Sequence, residues 1–154
     1  MNIEQASALY YFQLITNEEL TDVAMQALLN GVESECLTSL AFETEKIMST
    51  VGPLFEACLK ELGLHEKTRE SHSIEAAKYY AKSFLAGDLS VDAFGYKVGL
   101  ISNYKSAPEI LKEICKNAVW HDECATEYGY PEGFMATRKE CEEQITKLAK
   151  RLCT

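Results

Sequence analysis

The chain has 154 residues, 24 acidic against 15 basic, and a formal charge of −9, with a pI near 4.9. At 47% hydrophobic and 25% charged residues this is ordinary globular composition, sufficient for one domain with a real core, and it excludes disordered, collagen-like and coiled-coil chains. Affinity for phosphate backbones comes largely from Lys and Arg, so nucleic acid is not an expected partner; the natural partners of so acidic a chain are basic.

Helical periodicity runs through the sequence, and no alternation of apolar and polar residues lasts more than a few positions. The expected fold is therefore all-α, an antiparallel bundle or array of seven to eight helices forming a single domain over residues 1–154. The first helix is expected over Glu4–Ile15. Thr16 followed by Glu19 then forms a capping box, in which each side chain satisfies a backbone N–H of the new first turn. The second helix runs to about Asn30. Its apolar residues Leu20, Val23, Ala24, Ala27 and Leu28 make one buried stripe, Glu18 and Asp22 point away from it, and Gly31 ends the helix in a left-handed turn.

Ser34 caps a short third helix through Phe42. A longer one follows, with Ile47, Val51, Leu54, Phe55, Cys58, Leu59 and Leu62 on one stripe and Gly63 as its stop. Pro53 removes one intrahelical hydrogen bond and crowds the preceding turn, so a kink or break is expected near Ser49. Ser73 is expected to cap the next helix, which buries Ile74, Ala77, Ala81, Phe84 and Leu85 before Gly87. Ser90 opens another from Val91 to about Ser102. The segment after Pro108 turns Ile110, Leu111, Ile114, Ala118 and Val119 inward. A final helix after Pro131 stacks Cys141, Ile145, Leu148, Ala149 and Leu152.

No stretch approaches the roughly 20 apolar residues that span a bilayer, and Met1–Gln5 lacks the positive start of a signal peptide. The expectation is a cytoplasmic protein that keeps clear of membranes. Its six cysteines (Cys36, Cys58, Cys115, Cys124, Cys141 and Cys153) should then remain thiols, with Cys58 and Cys141 packed on apolar stripes. No Cys-x2-Cys or comparable ligand spacing is present, so neither a metal nor a cofactor is expected. His65 and His72 fall in a polar connection and read as solvated.

Charge is unevenly placed. The first 45 residues hold eight acids (Glu4, Glu18, Glu19, Asp22, Glu33, Glu35, Glu43 and Glu45) and no Lys or Arg; the remaining 109 hold 16 acids and 15 bases. A second base-free window, 117–137, mixes Asp122, Glu123, Glu127 and Glu132 with Trp120, Tyr128, Tyr130 and Phe134. Folding and solubility do not require such segregation, which costs a little in mutual repulsion. A partner of opposite sign does favour it, because complementary charge speeds association and excludes wrong partners, while buried Trp and Tyr commonly anchor binding. The expected partner-binding residues are therefore Glu18, Glu19, Asp22, Trp120, Asp122, Glu123, Glu127, Tyr128 and Tyr130. The plainer alternative is that Trp120 and Phe134 are core, Tyr128–Pro131 a helix-ending turn, and the acids a solvated face.

The run Ala81–Phe94 (AKSFLAGDLSVDAF), a helix ending in Gly with an acid and an apolar residue before the next cap, resembles a segment of small all-helical bacterial immunity proteins. These are the antidotes of contact-dependent growth inhibition and polymorphic toxin systems. Ala24–Gly31, Leu37–Ala41 and Leu59–Leu64 are similar to the N-terminal half of such families, and the pieces together touch about a third of the chain. The resemblance implies a protein that binds a cognate toxin domain tightly and covers its active site; it carries no catalytic motif and identifies no interface residue. A toxin that cleaves RNA or DNA is basic where phosphates bind, so a basic nuclease domain is the expected partner. An acidic adaptor or regulatory protein-binding module is the alternative. For an enzyme, only His121, Glu123 and Cys124 offer base, acid and nucleophile, and sequence neighbours rarely converge on one substrate; no catalytic residue is expected.

Overall fold

The computed structural model describes residues 1–102, 106–124 and 137–154. It is all-α, with eight helices and no strand among the described residues: α1 (Ile3–Tyr11), α2 (Asn17–Leu29), α3 (Glu35–Ala41), α4 (Met48–Glu61), α5 (Arg69–Ala86), α6 (Val91–Ile101), α7 (Glu109–Glu123) and α8 (Arg138–Cys153). No helix among them is long and apolar enough to cross a membrane. Backbone contacts divide the chain into two compact units, Met1–His72 and Ser73–Thr154.

In the first unit, the Thr16–Glu19 capping box forms as read from the sequence: Glu19 N–H donates to Thr16 Oγ1 at 3.2 Å, and Thr16 N–H donates to Glu19 Oε2 at 2.8 Å. An equivalent box, Asn2 with Gln5, starts α1. That helix is shorter than expected. It stops at Tyr11 because Gln13 takes a left-handed conformation (φ 57°) and Leu14 N–H turns back to the Leu9 carbonyl at 2.9 Å. Thr16 then takes the extended conformation its cap needs. Helix α2 packs on α3 and both pack on α4, burying Leu20, Val23, Ala24, Leu37, Leu40, Val51 and Phe55.

Helix α4 opens at Met48 and continues through Pro53. The expected interruption near Ser49 is thus the start of the helix, and Ile47, counted into the buried stripe, is an extended cap residue 48% exposed. The helix stops at Gly31, Gly63 and Gly87 all have positive φ.

Two expectations about the polar connection are overturned. Helix α5 starts at Arg69, not after Ser73, with Thr68 Oγ1 accepting from Ser71 N–H at 3.2 Å. His72 therefore lies inside a helix, 5% exposed, its ring stacked on Tyr11 with centroids 4.5 Å apart. Burial, and then the charge of Lys67, lower its pKa. Above pH ~6.5, the ordinary histidine value, folded and unfolded states both hold it neutral. Below that, the unfolded chain takes up a proton that the folded one refuses, so stability falls as pH drops and levels off beneath the folded pKa. Thermal melts between pH 7.5 and 5 should therefore show a declining Tm that is flatter in His72→Phe; parallel profiles would remove this assignment.

In the second unit α6 packs on α7 and α7 on α8. Ser90 caps α6 as expected, accepting from Ala93 N–H at 3.1 Å. All five residues read as the α8 stripe are buried. Its start is set by a third capping box, Thr137 with Glu140. Ser73 is a buried residue of α5 whose hydroxyl donates to the Ile101 carbonyl at 3.2 Å. Two side chains expected inside are exposed, Leu85 and Val119; α7 instead buries Leu111, Ile114, Cys115, Asn117 and His121.

Candidate functional site

Of the residues singled out for partner binding, Glu18 and Asp22 are exposed on α2. Glu19 is committed to its own backbone through the cap. Asn17 Nδ2 donates to the Lys46 carbonyl at 3.1 Å, which holds the 43–47 connection against the start of α2. That connection carries Glu43 and Glu45, tied by a hydrogen bond from Glu45 N–H to Glu43 Oε1 at 2.8 Å. Phe42, 68% exposed, precedes it and exposed Ile47 ends it. The first unit thus presents acids around exposed apolar side chains, the composition of an interface with a basic partner.

Phe42 was not among the expected site residues, although a signal for it exists. Leu37 and Leu40 define the buried stripe of α3, and Phe42 falls outside their i, i+3, i+4 pattern. Leu29, 71% exposed, leaves the α2 stripe in the same way.

In the second unit, Asp122 and Glu123 are exposed near the end of α7, and Trp120 is half-buried. Lys116, one turn back, places its ammonium 4.6 Å from the indole centroid, so a cation already occupies one face of the ring. Glu127, Tyr128 and Tyr130 lie outside the described residues.

The second unit also holds a polar centre that the sequence did not reveal. His121 is 2% exposed. Its Nδ1 lies 2.7 Å from Asp92 Oδ1 on α6, and its Nε2 lies 2.9 Å from Glu142 Oε1 and 2.9 Å from Arg138 Nε on α8. One nitrogen cannot serve both α8 residues at once: it donates to Glu142 when protonated and accepts from Arg138 when not. Both ring nitrogens are thus engaged with these helices, and Cys124 instead neighbours Cys141.

All six cysteines are free thiols. Burial is the main force pushing the thiols of Cys58, Cys115 and Cys141 upward, Cys58 to about 12. That is opposite to the shift that activates a nucleophile. No group of three His, Cys, Asp or Glu among the described residues could hold a metal ion. No family model, curated protein or solved structure matches the chain.

Proposed function

We propose that this protein is an immunity protein, binding and neutralising a basic toxin domain, a nuclease by the charge argument, through the acidic surface of its first unit. The observation that carries the reading is the segregation of charge: eight acids and no Lys or Arg in the first 45 residues, with Glu18 and Asp22 exposed on α2, the Lys46 carbonyl held at its start by Asn17, and Phe42 exposed. Carboxylates so placed can occupy positions where a nuclease would bind phosphates, and Phe42 supplies an apolar anchor. The protein would act in the cytoplasm, where such a toxin meets its substrate.

The test is calorimetric titration against the C-terminal domain of whatever large secreted protein is encoded immediately upstream, at two salt concentrations. An antidote must hold free toxin negligible, so Kd should be about 1 nM or below, equivalent to roughly −12 kcal/mol, and should weaken with salt. Micromolar binding would favour an adaptor, and no binding would overturn the reading. In the Glu18→Lys/Asp22→Lys variant the association rate should fall about tenfold or more at low salt, whereas Phe42→Ala should mainly speed dissociation. Glu19 is left intact because reversing it would also remove the α2 cap. Unchanged rates in both variants, with helicity preserved, would reject this surface.

A further inference from the structure

Two of the free thiols lie side by side in the first unit. Cys36, in the first turn of α3, is partly exposed, whereas Cys58, on the inner stripe of α4, is fully buried. Helix α3 packs directly on α4, and this brings the two sulfurs into interaction although they are far apart in sequence. The Cys36 thiol also meets the carboxylate of Glu61, at the end of α4. Glu61 in turn interacts with the Ser34 hydroxyl and the Cys36 N–H, so the start of α3 is tied to the end of α4 around this pair.

Both groups are held as thiols. The Glu61 carboxylate, and then burial, raise the Cys36 thiol, and burial takes Cys58 to about 12. The pair is therefore slow to react, but whether it closes at equilibrium is decided by how nearly the fold holds the sulfurs at bonding geometry. In an unfolded chain two such thiols meet at an effective concentration on the order of millimolar. Packing of α3 on α4 has already met that loop-closure cost. Closing the bond removes the S–H that faces Glu61, a small loss because Glu61 is exposed and keeps Ser34 and the Cys36 N–H.

We propose that Cys36 and Cys58 are a reversible disulfide site, closed by a low-molecular-weight disulfide such as oxidised glutathione and reopened by the corresponding thiol, which fastens α3 to α4. The partly exposed Cys36 sulfur, as thiolate, attacks one sulfur of the glutathione disulfide. That S–S bond breaks, and the departing glutathione takes up the proton that Cys36 released. Cys58 then loses its proton and attacks the Cys36 sulfur of the mixed disulfide, releasing the second glutathione as a thiol. Two protein thiols are oxidised by two electrons, one glutathione disulfide is reduced to two thiols, and no proton is gained or lost overall. The inference does not rest on the immunity reading.

The test equilibrates the full chain at pH 8 in buffers of reduced and oxidised glutathione, followed by acid quenching, alkylation and tryptic mapping. Lys46 is the first basic residue and Lys60 the next, so peptide 1–46 carries Cys36 alone and peptide 47–60 carries Cys58 alone. The two peptides should appear disulfide-linked, with an effective concentration in the native protein at least about tenfold above that in the urea-unfolded chain. By linkage the oxidised protein should melt at least about 3 °C higher than the reduced one, a difference that reductant abolishes and that Cys36→Ser lacks. The wild-type map needs no variant to fold. Absence of the linked peptides across the buffer range, a native effective concentration no higher than the unfolded one, or Cys36 trapped as its glutathione adduct with Cys58 still free would overturn the inference.

Discussion

Replacing His121 by alanine is expected to destabilise the protein by about 2–4 kcal/mol, more than any other exchange of a polar side chain considered above. The imidazole is buried and joins three helices: α7 carries it, Asp92 on α6 meets Nδ1, and Glu142 and Arg138 on α8 meet Nε2. Its loss removes hydrogen bonds to charged groups and leaves a void the size of a ring. The loss stays modest because Asp92 and Glu142 are about half exposed, 55% and 47%, and can be rehydrated once the ring is gone. His121→Phe separates the two contributions, since it fills the space but offers no donor; it should lie between wild type and His121→Ala. Urea unfolding measures both. A loss under about 1 kcal/mol in His121→Ala would mean that solvent replaces the network at little cost.

That centre shows why part of the molecule was hidden in the sequence. Its members are separated by 29, 21 and 17 positions and lie on three helices, so no local pattern links them. Where the determinants are local, the reading is good. Thr16 and Glu19 specify their cap within four residues, and the α8 stripe from Cys141 to Leu152 is buried residue for residue. Errors arise where a short-range signal competes with tertiary packing. Ser73 looks like a helix cap, but Thr68 five residues earlier plays that part and leaves Ser73 to donate to Ile101. The shift carries His72 from an apparent loop into a buried stack. The site was half legible for the same reason: helix period placed Glu18 and Asp22 on the outside, whereas the contact that brings the connection before α4 to the start of α2, between Asn17 and Lys46, spans 29 positions.

Helix α6 gives an opposed pair of expectations one turn apart. A Cβ added at Gly95 would collide with Ala118 Cβ on α7, whereas at Gly99 it would meet nothing within 4 Å. Both glycines sit inside the helix, where alanine in place of glycine gains about 1 kcal/mol of backbone entropy. At exposed Gly99 that gain is unopposed, so Gly99→Ala should stabilise the protein by about 0.5–1 kcal/mol. At buried Gly95 the new methyl must separate α6 from α7, an overpacking cost of about 1–3 kcal/mol that exceeds the gain. Gly95→Ala should therefore destabilise, and Gly95→Leu should do so by more than about 3 kcal/mol, because further carbons follow the first into the same contact. Each glycine follows a buried stripe residue, Phe94 or Val98, so sequence spacing treats them alike; only the approach of Ala118 distinguishes them. Chemical unfolding of Gly95→Ala and Gly99→Ala under one set of conditions should give changes of opposite sign, and equal changes would show that α6 and α7 can move apart at no cost.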